Sequence, residues 1–271
     1  MRNFVRPRPL SDPSLRFIGF HHAGGSAAGY HGLATRLPST WDVLLLDLPG
    51  RGRRHAEPLA RDMAAVVDVA TRDVMEWTNV PCVLFGHSMG AIVAVEVAHR
   101  LTGIGAPPLW VGLSGRPDPD MVPRRRTLST LDDDELLATL LNLGGTPQRI
   151  DEIPELRSLF LRVVRADLEA VDSYRPARPR QPLPCPVTVF GGLADPWAPP
   201  ASLDGWAVET RAPLRRCLFG GGHFYFMESG FAELARAIRG EVGAVLADMA
   251  VAGPLDSVLA GTVAADRTGH P

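Results

Sequence analysis

The chain has 271 residues, of which 45% are hydrophobic and 21% charged, so it can bury a core and is neither disordered nor fibrous. Its 28 basic and 30 acidic residues give a net charge of −2, which excludes the basic surface of a nucleic-acid-binding protein. Every basic residue other than histidine is arginine, and the absence of lysine excludes Schiff-base, P-loop and pyridoxal-phosphate chemistry.

Short apolar runs alternate with helical patterns from about residue 15 to 249. The predicted strands are short, rich in Val, Leu, Phe and Ile, and bounded by Gly or Pro: Leu15–His21, Asp42–Leu48, Cys82–Gly86, Leu109–Leu113, Pro186–Gly191 and Leu214–Phe219. Helices are predicted near 26–36, 59–77, 89–103 and 227–249. Strands without polar alternation are typical of a mostly parallel sheet covered on both faces, so the pattern predicts a doubly wound α/β fold.

The interval 118–180 contains no strand pattern. Ser129-Thr130 followed by Asp132 resembles a capping box that opens a helix with a leucine stripe, and Gly144 is its predicted stop. A second helix is predicted from Pro154, with an apolar face made by Leu156, Phe160, Val163, Val164 and Val171. We expect 118–180 to be a helical lid over the sheet; the alternative is an ordinary pair of packed crossover helices.

The whole chain, 1–271, is expected to form one domain that contains this insertion, and 250–271, which lose periodicity, a flexible tail. Three cysteines are too few and too odd in number for a disulfide framework, and each stands in or beside a strand-like run where thiols are usually inert: Cys82, Cys185 and Cys217. The first residues lack a signal-peptide core, and no stretch approaches about 18 apolar residues. We therefore expect a soluble, cytoplasmic protein without membrane contact.

The strongest chemical signal is Gly-His-Ser-Met-Gly at 86–90. It lies between an apolar strand and a helical run, which is the context that a nucleophile elbow requires. So tight a turn accepts only small neighbours, hence the flanking glycines, and the helix N-terminus directs N–H groups at an anion formed beside Ser88. The alternative is a purely structural Gly-Ser turn.

A nucleophilic serine needs a base that takes its proton and an acid that orients the base, in the chain order Ser, acid, His for this class of hydrolase. His223 is the predicted base, because it stands in a glycine run between the last strand and the C-terminal helix. Of the other histidines that follow Ser88, His99 lies in the helix after the elbow and His270 in the predicted tail. The alternative for His223 is a buried structural histidine.

The predicted acid is Asp195, in the loop Leu-Ala-Asp-Pro-Trp that directly follows a strand. Asp118 and Asp120, after the preceding strand, remain the alternative, since a hydrolase can support its histidine from either place. Asp195 could also be an Asp-Pro turn former, which would not exclude the catalytic role.

An oxyanion hole needs two N–H donors, one from the residue after the nucleophile and one from the loop after an early strand. The predicted donors are the backbone N–H groups of Met89 and of Ala23, the latter in a glycine-bearing loop whose alternative is a helix-capping turn. No metal-ligand spacing and no nucleotide-binding motif occurs, so neither a cofactor nor a metal is expected. Arginine clusters at 51–54 and 124–126 are predicted to be solvated surface, with docking of an acidic partner or a phosphate as the alternative.

With these residues in place, the chain resembles a type II thioesterase, the discrete editing hydrolase that accompanies polyketide synthases and non-ribosomal peptide synthetases. The resemblance spans roughly residues 15–245. It rests on the order and spacing of these motifs: Ala23-Gly24-Gly25-Ser26, Leu48-Pro49-Gly50-Arg51, Gly86-His87-Ser88-Met89-Gly90, Ser114-Gly115-Arg116, Arg165-Ala166-Asp167, Asp195 and Gly221-Gly222-His223-Phe224.

The resemblance implies an α/β-hydrolase fold and hydrolysis of acyl thioesters on the phosphopantetheine arm of an acyl or peptidyl carrier protein. Ser88 would attack the thioester carbonyl, with His223 as base, Asp195 as its support and the N–H groups of Ala23 and Met89 around the oxyanion. Three other functions fit the same residues: a small-molecule esterase or lactonase, an acyltransferase, and a non-catalytic binding module.

Overall fold

A seven-stranded sheet forms the centre of the computed structural model, which describes residues 3–121, 127–146, 149–229 and 231–252. The strand order is β1-β3-β2-β4-β5-β6-β7, and every neighbouring pair is parallel except β1 and β3. The strands are β1 (Phe4–Val5), β2 (Leu15–Phe20), β3 (Trp41–Leu46), β4 (Cys82–His87), β5 (Trp110–Ser114), β6 (Val187–Gly192) and β7 (Arg215–Phe219). The predicted α/β fold is confirmed. The two-residue β1 was missed because so short a strand has no readable pattern.

Helices cover both faces of the sheet. They are α1 (His31–Ala34), α2 (Met63–Met75), α3 (Met89–Gly103), α4 (Asp133–Leu143), α5 (Pro154–Ser173), α6 (Tyr225–Glu228) and α7 (Ala232–Ala252). Residues of α2 and α3 share one buried apolar cluster with the sheet, and residues of α1 and α7 share a second. Strands β2 to β6 are buried along their whole length, as their unbroken apolar runs predict, whereas the edge strand β7 begins with exposed Arg215 and Arg216.

The 118–180 interval holds the two predicted helices, α4 and α5. A third apolar cluster joins them, with Leu136, Leu140, Leu161 and Leu168 among its buried members. Helix α5 begins with a proline in its first turn, as predicted, and α4 ends at Gly144, whose φ of 87° is the left-handed conformation that glycine tolerates.

Three local predictions about helix ends and faces were wrong. The N-cap of α4 is Asp132, whose carboxylate accepts the Glu135 N–H at 2.8 Å, because a carboxylate nearer the helix displaces the expected Ser129 cap. Leu156, expected on the buried face of α5, is 46% exposed, because the apolar face begins further along that helix. Helix α7 continues through Ala252, so 250–252 are helical, and the rest of the expected tail lies outside the described residues.

The cysteine thiols are held in their neutral form. Cys82 and Cys185 are buried, and Cys217 is half-buried on the edge strand. Burial raises the thiol pKa to about 11 for Cys82, about 12 for Cys185 and about 11 for Cys217. Among the described residues, no helix has the length and apolar character needed to cross a bilayer.

Candidate active site

Ser88 occupies a strained turn between β4 and α3. Its backbone angles, φ 57° and ψ −114°, lie in a region that residues other than glycine rarely adopt. The backbone passes too close here for larger neighbours: a Cβ on Gly86 would lie 1.8 Å from the Gly90 oxygen, and a Cβ on Gly90 would lie 2.3 Å from the Phe20 oxygen. The Ser88 N–H donates to the Ser114 carbonyl at 2.7 Å. The two motif glycines are therefore required by the close backbone contacts that project Ser88 from the sheet.

His223 and Asp195 form a buried hydrogen-bonded pair. His223 Nδ1 lies 2.8 Å from Asp195 Oδ2, and because an ionised carboxylate only accepts, Nδ1 donates and Nε2 is left for another partner. The other carboxylate oxygen, Oδ1, accepts the backbone N–H groups of Trp197 at 2.8 Å and Ala198 at 3.1 Å. Burial alone would raise the pKa of Asp195, but these hydrogen bonds and the charge of His223 outweigh it and lower that pKa.

Close packing of two loops brings Asp195 to His223. The Ala194 N–H donates to the Gly221 carbonyl at 2.9 Å, which joins the loop after β6 to the loop after β7. A Cβ on Gly192 would lie 2.1 Å from the Gly222 oxygen, so only glycine allows this approach. Adjacent parallel strands end at the same edge of the sheet, which is why residues 28 positions apart meet here.

The alternative acids lie elsewhere. Asp118 is buried, but its carboxylate accepts the Asp120 N–H at 2.8 Å and lies 3.9 Å from the Arg178 guanidinium, and no histidine of the described ranges contacts it. Asp120 is exposed and faces Arg178 at 3.5 Å. Of the remaining histidines after Ser88, His99 pairs with Glu209 at 2.7 Å, and His270 lies outside the described residues.

A buried ion pair holds the loop that contains Ala23. The N–H of the next residue, Gly24, donates to Asp167 Oδ2 on α5 at 2.8 Å. The same carboxylate forms two hydrogen bonds with the guanidinium of Arg51, and both side chains of this pair are almost fully buried. The second predicted donor, the Met89 N–H, belongs to the first turn of α3, where N–H groups have no acceptor within the helix.

The arginine cluster at 51–54 is therefore not a solvated surface as predicted. Besides Arg51, Arg54 is buried and pairs with Glu57 at 2.6 Å and Asp73 at 2.7 Å; only Arg53 is exposed. Arg51 and Arg54 are buried because they pair with acidic side chains, some of them distant in sequence, and a local run of arginines does not indicate such pairs. The second cluster, 124–126, lies outside the described residues.

A cavity of about 700 Å³ connects these groups. Ser88, His223 and Ala23 line it from the sheet side, and apolar side chains of the 118–180 interval, including Leu140 and Phe160, line it from the other side. Among the described residues, no three His, Cys, Asp or Glu side chains converge in a way that could hold a metal. The arrangement can thus expose a serine hydroxyl and an imidazole to an apolar ligand.

The thioesterase domain family matches residues 16–242. The chain belongs to the thioesterase family. It is 34% identical to the probable cadicidin biosynthesis thioesterase of Streptomyces griseus, over 86% of this chain and 65% of that protein. It is also 34% identical to thioesterase PikA5 of Streptomyces venezuelae, over 81% of this chain and 78% of that protein. The solved type II thioesterase BorB from the borrelidin biosynthetic cluster is similar, with a TM-score of 0.80 and 33% identity over 91% of this chain and 98% of that chain.

Two further histidines of this thioesterase, one beside the candidate base and one beside the first, were not singled out in the sequence. The ring centroids of His87 and His223 are 4.8 Å apart, and those of His22 and His87 are 6.1 Å apart. Burial, reinforced by the charge of His223, lowers the pKa of His22 to about 3 and that of His87 well below its usual value. Both rings therefore stay neutral. His87 directly precedes Ser88, and His22 directly precedes Ala23; this adjacency in the sequence could have indicated that both belong to the site.

Proposed function

We propose that this thioesterase hydrolyses acyl thioesters carried on the phosphopantetheine arm of acyl or peptidyl carrier proteins, as an editing type II enzyme. The observation that carries the proposal is a strained Ser88 in the same cavity as His223, whose Nδ1 is held by the buried Asp195. The relative named for cadicidin biosynthesis and the type II thioesterase BorB of the borrelidin biosynthetic cluster support the carrier-protein substrate.

Acylation begins when the Ser88 hydroxyl attacks the thioester carbonyl carbon and its proton passes to His223 Nε2. The N–H groups of Ala23 and Met89 then stabilise the negative oxygen of the tetrahedral intermediate. Collapse breaks the C–S bond, the pantetheine sulfur takes the proton from the imidazolium, and the acyl group stays on Ser88 as an ester. Asp195 holds the ring orientation and stabilises the positive charge that forms on it.

Hydrolysis repeats these steps with water in place of serine. His223 takes a proton from the water as the water oxygen attacks the acyl ester. The second tetrahedral intermediate then collapses to a carboxylic acid, the bond from the acyl carbon to Ser88 Oγ breaks, and the imidazolium returns its proton to Oγ. The acyl chain lies in the cavity below α4 and α5, where apolar side chains exclude water from the ester. No bound cofactor takes part in this sequence, because the phosphopantetheine arm belongs to the substrate.

The test compares three donors of one acyl group: a carrier protein, N-acetylcysteamine and p-nitrophenol. We expect the highest kcat/KM with the carrier protein, and loss of turnover by a factor of about 10⁴ to 10⁶ in Ser88→Ala. A preference for the p-nitrophenyl ester would favour a small-molecule esterase, and product formed only when an alcohol or amine is added would favour an acyltransferase. Unchanged turnover in Ser88→Ala would exclude a serine mechanism.

A further inference from the structure

One cationic side chain of the cavity has no role in the mechanism above. Arg116 follows Gly115 directly after β5, and a Cβ on Gly115 would lie 3.3 Å from Cε1 of His223. The main chain at Gly115 therefore passes beside the candidate base, and the next residue, Arg116, lines the same cavity as Ser88.

Arg116, which is partly exposed, differs from the buried arginines Arg51 and Arg54. Arg51 ends on Asp167, and Arg54 ends on two carboxylates. Within the part of the chain that the structure describes, the Arg116 guanidinium forms no hydrogen bond or ion pair, and its Nε is buried without a partner. A buried polar atom of a charged side chain normally has a partner, because a hydrogen bond replaces the hydration that the atom has lost.

Within the described residues, the two neighbouring groups that act on this guanidinium electrostatically, Asp172 and Tyr174, form no hydrogen bond with it. Asp172 lines the same cavity, but its carboxylate accepts the Ser129 hydroxyl at 2.7 Å, and the Tyr174 hydroxyl donates to Glu96 at 2.6 Å. Burial lowers the pKa of Arg116 to about 10, against the raising effect of Tyr174 and Asp172, so the side chain keeps its charge at neutral pH.

Binding of an acyl chain changes the surroundings of Arg116. A saturated chain that displaces water from the cavity leaves the guanidinium without any acceptor, whereas a chain with an oxygen atom replaces the lost hydration. We propose that Arg116 is a specificity residue that donates hydrogen bonds to an oxygen on the acyl group beyond the thioester carbonyl. This inference rests on the proposed function and adds to it a substrate class, the acyl thioesters that carry a keto or carboxylate oxygen.

The experiment measures binding without turnover. A hexanoyl thioester of N-acetylcysteamine is compared with its 3-oxo, 5-oxo and terminal-carboxylate counterparts by calorimetric titration of the Ser88→Ala variant. The same ligands are titrated into Ser88→Ala/Arg116→Met, which keeps the length of the side chain and removes its charge. The control is Ser88→Ala/Arg211→Met, which removes an exposed arginine. Thermal unfolding of each variant confirms that it is folded.

We expect at least one oxygenated ligand to bind Ser88→Ala about ten- to a hundredfold more tightly than hexanoyl, and this preference to vanish only with Arg116→Met. A carboxylate preferred over both ketones would identify acidic acyl groups, and equal ketone binding would identify keto chains. A preference that survives Arg116→Met would overturn the assignment, and so would an equal loss for all four ligands, which would place Arg116 on the arm common to them. Failure of wild type to hydrolyse any thioester would refute the proposed function but leave this binding result to stand.

Discussion

The loops around Ser88, at one edge of the sheet, and the helices α4 and α5 that line the other side of the cavity are held by different kinds of contact. Around Ser88 and His223, main chain meets main chain at distances that only glycine allows, as at Gly90 and Gly192. Helices α4 and α5 instead have an apolar cluster of their own, and α5 reaches the Ala23 loop through the side chain of Asp167. The candidate reacting groups are thus held by close main-chain contacts, whereas the surface that α4 and α5 give to the cavity depends on side chains.

The largest expected effect is a loss of kcat on substitution of Asp195, the partner of His223. Asp195→Asn should lower kcat by a factor of about 10⁴, because an amide can favour the wrong tautomer of His223. Asp118→Asn is the matched control, a buried carboxylate without a histidine contact, and should lower kcat only slightly. The measurement is steady-state hydrolysis of an acyl-N-acetylcysteamine thioester by folded variants. The reverse ranking would transfer the acid to the loop after β5.

A smaller but still large effect, on the unfolding free energy, is expected at Asp167, where α5 contacts the Ala23 loop. Asp167→Asn leaves Arg51 charged and unpaired, and breaking a buried ion pair in this way costs about 3–5 kcal/mol of unfolding free energy. The matched control is Glu152→Gln in the exposed Arg149–Glu152 pair, where we expect at most about 1 kcal/mol. Urea unfolding measures both. Equal losses would show that the two regions are not joined through Asp167.

Substitutions in α4 and α5 should alter the preference for acyl-chain length more than they alter the chemical step. Phe160 lines the cavity, so Phe160→Gln should lower kcat/KM for a long acyl thioester about tenfold relative to an acetyl thioester. The neighbouring Leu159 is 48% exposed, and Leu159→Gln should leave the ratio unchanged. A series of acyl-N-acetylcysteamine thioesters provides the measurement, with Leu140→Gln as a second cavity variant. A uniform loss at every chain length would mean that these side chains only stabilise the helices.

The smallest effect concerns pH and the neutral histidines behind the serine. The pKa of His22 is about 3 in the folded protein, so between that value and about 6.5 only the unfolded chain binds a proton there. The unfolding free energy should fall as pH drops through this window, by up to about 1.4 kcal/mol per pH unit for each such histidine. His22→Gln should reduce the slope between about pH 6.5 and pH 5, whereas His55→Gln, at an exposed site, should not. Parallel slopes would contradict the buried neutral state.

Sequence reasoning succeeded where a local pattern determines the structure. The strand, the glycines and the helical run around Ser88 are adjacent in the chain, so the elbow could be recognised without knowing the rest of the fold. The choice of Asp195 rested on chain order, and the structure places it against His223. Arg51 was misjudged because its partner stands 116 residues away, and such a pairing is decided by tertiary contacts.

Labelling of the nucleophile tests the central claim most directly. The wild-type protein and Ser88→Ala are treated with a fluorophosphonate, digested and analysed by peptide mass spectrometry. We expect one modified peptide in the wild type, covering the 82–100 region with the adduct on Ser88, and none in Ser88→Ala. An adduct on another residue, or equal labelling of the alanine variant, would contradict it.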